Sequence, residues 1–347
     1  MQKPKRLRPG DTVAAISLSW GGPAAYPHRY QAGKEQFKRE FSVNVVETEH
    51  ALRDPEWLAR NPEARAADLM AAFADPMING IISTIGGEES IRLLPYIDGS
   101  VIASNPKVFL GYSDTTVSHL ACFRAGLVSF YGPTFMAGFA ENGGMFPYMT
   151  ESVRRTCFRA APIGVIDQNT RGWTAERIDW ANPEHQSRRR ELNPSQWWRF
   201  LQGVGFAQGR LIGGCLEVLE MLRGTSVWPD PDEFQDAILF IETSEEGPTP
   251  RMVARALRSY ASMGILRRLS GLLFGRPGGA VPIDHGPRYD DAIMQVVVKE
   301  EGLSTLPVVT NMDFGHTDPM FVLPYGVKAQ IDCDNLSFTI LESAVVD

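Results

Sequence analysis

Several features that would mark a membrane, metal or nucleic-acid protein are scarce in this sequence. No stretch of its 347 residues approaches the ~18 consecutive apolar residues that a membrane-spanning helix needs. Its four cysteines, Cys122, Cys157, Cys215 and Cys333, stand far apart, with no CxxC pair and no nearby Cys/His cluster. That spacing argues against structural zinc and against a disulfide framework. Basic residues are outnumbered, 34 Lys plus Arg against 41 Asp plus Glu, for a net charge of -7. A protein that displaces counterions from a phosphate backbone usually carries a basic face, so nucleic acid is not an expected partner. The one basic run, Arg188 to Arg190, reads as a solvated loop. After a basic start, the apolar run Thr12 to Leu18 is too short for a signal-peptide core and leads into no small-residue cleavage site, so a cytoplasmic protein is expected.

What is present is an alternation of short apolar runs with longer amphipathic ones. Thr12 to Leu18, Ser42 to Val46, Gly80 to Ile85 and Val108 to Gly111 read as strands. Tyr30 to Glu40, Asn61 to Ala74, Glu88 to Leu94 and Thr115 to Ala125 read as helices between or after them. The pattern predicts an α/β protein with a mostly parallel sheet, whose ligands gather at the carboxyl ends of the strands. From Ile163 to about Phe200 the apolar periodicity fades and four tryptophans appear, Trp173, Trp180, Trp197 and Trp198. We read three parts: an α/β domain over 1–160, a Trp-rich connecting or substrate loop over 161–205, and a second α/β domain over 206–347. Strands are expected in the last at 237–242, 271–274, 308–311, 329–331 and 337–341.

Chemistry is suggested first by Val108-Phe-Leu-Gly-Tyr-Ser-Asp-Thr-Thr116. An apolar strand runs into Gly111, which permits a tight turn, and a helix begins after Ser113. The hydroxyl would stand at the apex near converging backbone N–H groups, as in a nucleophile elbow, although the sequence is not GxSxG. The competing local explanation is that Ser113 or Asp114 merely caps the helix. A second strand end, Ser83-Thr-Ile-Gly-Gly-Glu-Glu-Ser90, offers a Gly pair through which backbone could approach a reacting carbonyl. The oxyanion donors would be the N–H of Asp114 and that of Gly86 or Gly87.

With only six histidines, the base can be sought by elimination. His119 lies inside the helix after the elbow, His50 among charged residues, and His28 and His185 in polar loops with proline. Of the remaining two, His285 reads as a turn residue, whereas His316 follows the buried run Leu306 to Asn311, where α/β proteins place catalytic groups. Its orienting acid is read as Glu242, which terminates the apolar strand from Ala237, with Asp313 and Asp318 as rivals and Glu245 and Glu246 further into the loop.

With these motifs in this order, together with Leu7-Arg-Pro-Gly-Asp11 and Gly209-Arg-Leu-Ile-Gly-Gly-Cys215, the chain resembles the LD-carboxypeptidase family of serine peptidases. The Trp-rich insert makes it more similar to the microcin C self-immunity branch than to the murein-recycling branch. The resemblance implies a flavodoxin-like N-terminal domain, a C-terminal α/β domain and an active site in the cleft between them. It implies a triad of Ser113, Glu242 and His316, with Asp114 and Gly86 at the oxyanion positions. Gly87, Trp180 and Trp173 fall in the regions expected to touch substrate. It implies no metal or cofactor, a small peptidyl-nucleotide or peptide substrate, and a homodimer. The expected reaction is cleavage of an amide joining a peptidyl or aminoacyl group to a modified nucleotide, with murein tetrapeptide carboxypeptidase as the alternative. A non-catalytic α/β binding protein, in which Ser113 is only a helix cap, is the alternative of another kind.

Overall fold

The computed structural model describes residues 1–279 and 281–347. Its first sheet begins with β1 (Thr12–Ile16), β2 (Asn44–Glu47), β3 (Gly80–Ser83), β4 (Val108–Gly111) and β5 (Phe130–Tyr131). All five are parallel, and β1, β3 and β4 are apolar and almost wholly buried, as a sheet covered by helices on both faces requires. Their spatial order, 5-4-3-1-2, is that of flavodoxin-like sheets, with ligands expected outside the carboxyl ends near the reversal between β1 and β3.

The helices between these strands start and stop where local chemistry dictates. The helix Pro27–Phe41 opens on a proline, whose missing N–H costs nothing at a first position, and closes on Ser42 at φ 57°, a left-handed cap. Ser42 therefore belongs to the helix end and not to β2, where the apolar pattern had suggested it. The helix Pro62–Ala74 packs Leu69 and Phe73 into a small core beneath β1, β3 and β4, together with Ile81 and Phe109. The expected helix at 88–94 is a 3₁₀ turn, Ser90–Tyr96, because Pro95 removes a donor from the α ladder.

The second sheet contains β6 (Gly164–Val165), β7 (Arg199–Gln202), β8 (Phe206–Cys215), β9 (Ile238–Glu242), β10 (Gly271–Gly275) and β11 (Val308–Met312). The strand β12 (Leu323–Pro324) leaves it to pair antiparallel with β5 in the first sheet, before β13 (Lys328–Asp332) and β14 (Ser337–Ile340) return. The order is β6-β14-β13-β8-β9-β10-β11-β7, in which β8 to β11 are parallel and the flanking pairings antiparallel. The Trp-rich stretch supplies both edge strands, β6 and β7.

The result is a two-domain α/β protein whose parts are stitched tightly. One apolar cluster runs from Val108 and Phe130 of the first sheet to Phe240 and Leu273 of the second. Thr116, at the start of the helix after the elbow, accepts from Cys215 N at 3.2 Å, and Tyr325 Oη donates to Gly213 O at 2.7 Å. The ends of β3 and β4 are thereby set against the ends of β8 to β11. Among the described residues, no helix is long and apolar enough to cross a membrane.

Candidate active site

Directly after β4 the chain turns sharply through Tyr112 and Ser113 into the helix Thr116–Arg124. Ser113 sits at φ 63°, a left-handed conformation that costs a side-chain-bearing residue about 1–3 kcal/mol. Its surroundings hold it there: Ser113 N donates to Tyr131 Oη at 3.2 Å, and Thr116 Oγ1 donates to Ser113 O at 2.7 Å. Gly111 is required because a Cβ there would lie 2.8 Å from Thr115 Cγ2 and 3.0 Å from Ser83 Cβ. Asp114 does not cap its own helix; its buried Oδ2 accepts from Ser90 N at 2.8 Å and ties the turn after β3 to the elbow.

That turn brings the Gly pair to the hydroxyl. A Cβ on Gly86 would stand 2.9 Å from both Cβ and Oγ of Ser113 and 3.6 Å from Asp114 N, so only glycine lets the backbone approach this closely. Gly87, at φ 145°, lines the same cleft and has Ser19 packed behind it.

From the other side come the last residue of β9 and residues after β9 and β11. Nε2 of His316 lies 3.0 Å from Ser113 Oγ, and Nδ1 lies 2.7 Å from Glu242 Oε2. Glu242 is 0% exposed, and its second oxygen accepts from Tyr131 Oη. Tyr131 was not among the residues picked out from the sequence, because an apolar Phe-Tyr strand signals only core. Its hydroxyl joins Glu242 to the turn at Ser113. Burial, reinforced by the Glu242 carboxylate, pushes this phenol well above its usual value, so it stays protonated and donates.

Glu245 also reaches His316, with Oε2 at 3.1 Å from Nε2, although the sequence placed it merely further along the loop. Burial alone would lower the His316 pKa, but the carboxylates of Glu242 and Glu245 outweigh it and raise the value from 6.5 to about 10. In return, the His316 ring 3.1 Å away holds Glu245 down at about 2.

The rival acids serve elsewhere. Asp313 accepts from Arg276 and from Trp198 Nε1, each at 2.8 Å, and Asp318 pairs with Arg190 at 2.7 Å. Arg190 corrects the reading of its basic run as solvated: it is largely buried and bridges Glu141 and Asp318, because two carboxylates there need a cation. His119 is fully buried, with Nδ1 at 2.9 Å from Ser129 Oγ and Nε2 at 2.8 Å from Gly111 O. Desolvation lowers its pKa to about 3.

Around Ser113 and His316 opens a cleft of about 780 Å³, lined among others by Trp20, Tyr26, Arg29 and Trp180. Trp180 forms part of the wall. Its face is covered by the Arg29 guanidinium, 4.0 Å from the ring centroid, and the Tyr26 ring meets it edge-on at 6.0 Å. Arg29 bonds Met136 O and Asn142 Oδ1, each at 2.8 Å, and burial lowers its pKa to about 10. Trp173 has a different place from the one expected. It is 4% exposed, bridged to Asn193 and packed under Arg276, and it does not line the cleft. The loss of periodicity around it marked an insert, but could not tell a plug from a wall.

Fold and site together define a serine hydrolase on a two-domain α/β frame. The model of the LD-carboxypeptidase N-terminal domain matches residues 13–132, and that of the LD-carboxypeptidase C-terminal domain matches residues 208–331. The chain belongs to the LD-carboxypeptidase family, and is a serine carboxypeptidase of its microcin self-immunity-like branch. It is 28% identical to the microcin C7 self-immunity protein MccF of Escherichia coli over 343 residues, 97% of this chain and 94% of that one. With the murein tetrapeptide carboxypeptidase of Pseudomonas aeruginosa it shares 29% identity over 171 residues, 49% of this chain and 47% of that one. Among solved structures, an MccF-like protein from Streptococcus pneumoniae in complex with AMP superposes with a TM-score of 0.84 at 29% identity, covering 95% of this chain and 98% of that one. The microcin C7 self-immunity protein MccF in complex with aspartyl sulfamoyl adenosine gives 0.85 at 27%, covering 99% and 100%.

Proposed function

We propose that the protein hydrolyses the amide joining a peptidyl or aminoacyl group to a modified nucleotide, with Ser113, His316 and Glu242 as its triad. The observation that carries this reading is the line of contacts from Ser113 Oγ to Nε2 at 3.0 Å and from Nδ1 to Glu242 at 2.7 Å. A serine hydroxyl is inert until a base takes its proton. In the proposed cycle the neutral His316 accepts that proton as Oγ attacks the carbonyl carbon, and the N–H groups of Asp114 and Gly86 receive the developing oxyanion. The imidazolium then protonates the leaving nitrogen, the C–N bond breaks, and water attacks the acyl-enzyme, returning its proton through His316.

The nucleotide part of the substrate is supported by relatives whose solved structures hold AMP and aspartyl sulfamoyl adenosine, and by an aromatic wall at Trp180. Gly87 would lie against the acyl group. Trp180 offers the nucleobase whichever part of its ring Arg29 leaves uncovered, and Arg29 offers a cation to the phosphate or sulfamate. Cytoplasmic placement and assembly as a homodimer, both implied by the family resemblance, belong to this proposal. The same arginine favours a second reading, a murein tetrapeptide carboxypeptidase, since a terminal carboxylate needs a fixed cation.

Turnover of an aminoacyl-sulfamoyl adenosine and of a murein tetrapeptide, measured side by side, separates the two. We expect the nucleoside conjugate to be cleaved, Trp180→Ala to weaken its KM, and Ser113→Ala to abolish turnover while the fold persists. Wild-type turnover by the Ser113→Ala protein would overturn the mechanism. Cleavage of the tetrapeptide alone, unaffected by Trp180→Ala, would overturn the substrate.

A further inference from the structure

One nitrogen in the site has two claimants. Nε2 of His316 lies 3.0 Å from Ser113 Oγ and 3.1 Å from Glu245 Oε2. A base that is to take the serine proton must present a lone pair at Nε2, whereas a carboxylate 3.1 Å away favours the protonated, cationic ring. The neutral and the protonated ring exclude each other.

We propose that Glu245 is a positioning residue which keeps the base in its protonated form while the cleft is empty, and that a cationic group on the acyl part of the substrate releases it by pairing with Glu245. This deepens, and rests on, the reading of the cleft as an amide-hydrolase site.

Three features support it. First, Glu245 is poised to move: it lies in the irregular stretch between β9 and the helix Pro250–Ser262, its side chain is 48% exposed, and its other partner is Arg177 at 3.4 Å, itself 69% exposed. The base beneath it cannot follow, because His316 is 6% exposed and Nδ1 is held by the fully buried Glu242. Second, the loop backbone is braced. Glu217 accepts from Ser244 N at 2.9 Å and from its hydroxyl, and Gly279 leaves room for the Glu245 carbonyl to pack closely against it. Third, this wall of the cleft is acidic. Glu217, Glu245 and Glu246 line it beside the nucleophile, while Arg29 and Trp180 form another part of the lining. An ammonium or guanidinium group suits the first part, and an anionic leaving group the second.

The groups facing His316 from each neighbouring element are Glu242 at the end of β9 and Glu245 after it, Ser113 and Tyr112 after β4, with the Tyr112 ring 4.9 Å away, and Gly278 after β10. Tyr112 in turn feels Asp318 and Arg190, and Arg177 faces Glu245. Among the described residues, only Glu242 and Glu245 contact the ring as anions, and in the proposal Glu242 is retained in either state. The pKa of about 10 fits a base locked as imidazolium between two carboxylates. When a substrate cation draws Glu245 away, the imidazolium gives its Nε2 proton to water, and the freed lone pair faces Ser113 Oγ.

Two measurements on the full chain test this. In the first, the His316 ring is titrated by NMR in wild type and in Glu245→Gln, without any substrate. We expect the variant to titrate lower by at least about one unit, a tenfold change in the protonation equilibrium; coincident titrations would overturn the proposal. In the second, kcat/KM is followed against pH for lysyl- and leucyl-sulfamoyl adenosine. Wild type should favour the lysyl compound near neutrality. Glu245→Gln should move the acid limb for the leucyl compound to lower pH and reduce the lysyl-to-leucyl preference by about tenfold. Glu245→Asp, which keeps the charge but shortens its reach, should fall between them. A preference and acid limb equal in wild type and Glu245→Gln would overturn the proposal. If wild type cleaves neither conjugate, the proposed function fails, and the ring titration alone still decides whether Glu245 holds the base.

Discussion

Replacing Tyr131 with phenylalanine removes one oxygen and tests whether the site is held as described. That oxygen donates to Glu242 Oε1 and accepts from Ser113 N. Glu242 is 0% exposed, so water has no ready path to its vacated oxygen. Leaving a buried group without its hydrogen bond costs about 1–3 kcal/mol, more when it is charged. The loss has two parts. One is stability, read as the free energy of unfolding in urea, where a decrease of about 2 kcal/mol is expected. The other is catalytic: with Oε1 released, the carboxylate can rotate away from Nδ1, and the strained Ser113 turn loses one of its two ties. If half to all of that ~2 kcal/mol is expressed in the transition state, kcat should fall by about 5- to 30-fold, with KM nearly constant. Steady-state kinetics on the nucleoside conjugate, run beside the urea titration, give both numbers. A Tyr131→Phe protein with kcat within twofold of wild type would refute the idea that this hydroxyl aligns the acid and the elbow, whatever happened to stability.

Other outcomes follow from the same geometry. Gly86→Ala would place a methyl group 2.9 Å from Ser113 Oγ; kcat should fall by at least about 100-fold, as when an oxyanion donor is displaced, and wild-type kcat would remove Gly86 from the site. For His316 the folded value is raised from 6.5 to about 10, so its contribution to stability is complete below about pH 6.5 and is lost as pH rises through about 10. Urea unfolding at pH 6 and near pH 10.5 should therefore show a decline in wild type that is smaller in His316→Gln, and equal declines in both proteins would contradict the ion pairing described.

Much of the architecture could be read from local pattern. The apolar runs at 80–83 and 108–111 are strands because their side chains are buried on both faces, and the terminal pair at 328–332 and 337–340 alternates because one face meets solvent. The boundaries that moved did so for backbone reasons: Ser42 went to a left-handed cap, and Pro95 turned an expected α-helix into a 3₁₀ turn. Local pattern could not assign side chains whose role depends on what packs against them. Arg190 looked solvated beside two other arginines but is buried, because Glu141 and Asp318 arrive from distant segments. Trp173 and Trp180 are seven residues apart in one loop, yet only Trp180 faces the cleft.

The sequence by itself determined the strand ends on which chemistry could stand: a glycine-led turn at Ser113, a Gly pair at 86–87, a carboxylate closing β9 and a histidine after β11. Periodicity and turn chemistry are local, and these positions are local. Tertiary structure alone decided which of those ends would meet. Contacts spanning 203 residues between His316 and Ser113, and 111 between Tyr131 and Glu242, have no local signature. They exist because β12 crosses back to the first sheet and one apolar core joins both sheets, closing the carboxyl ends of β3 and β4 against those of β9 and β11.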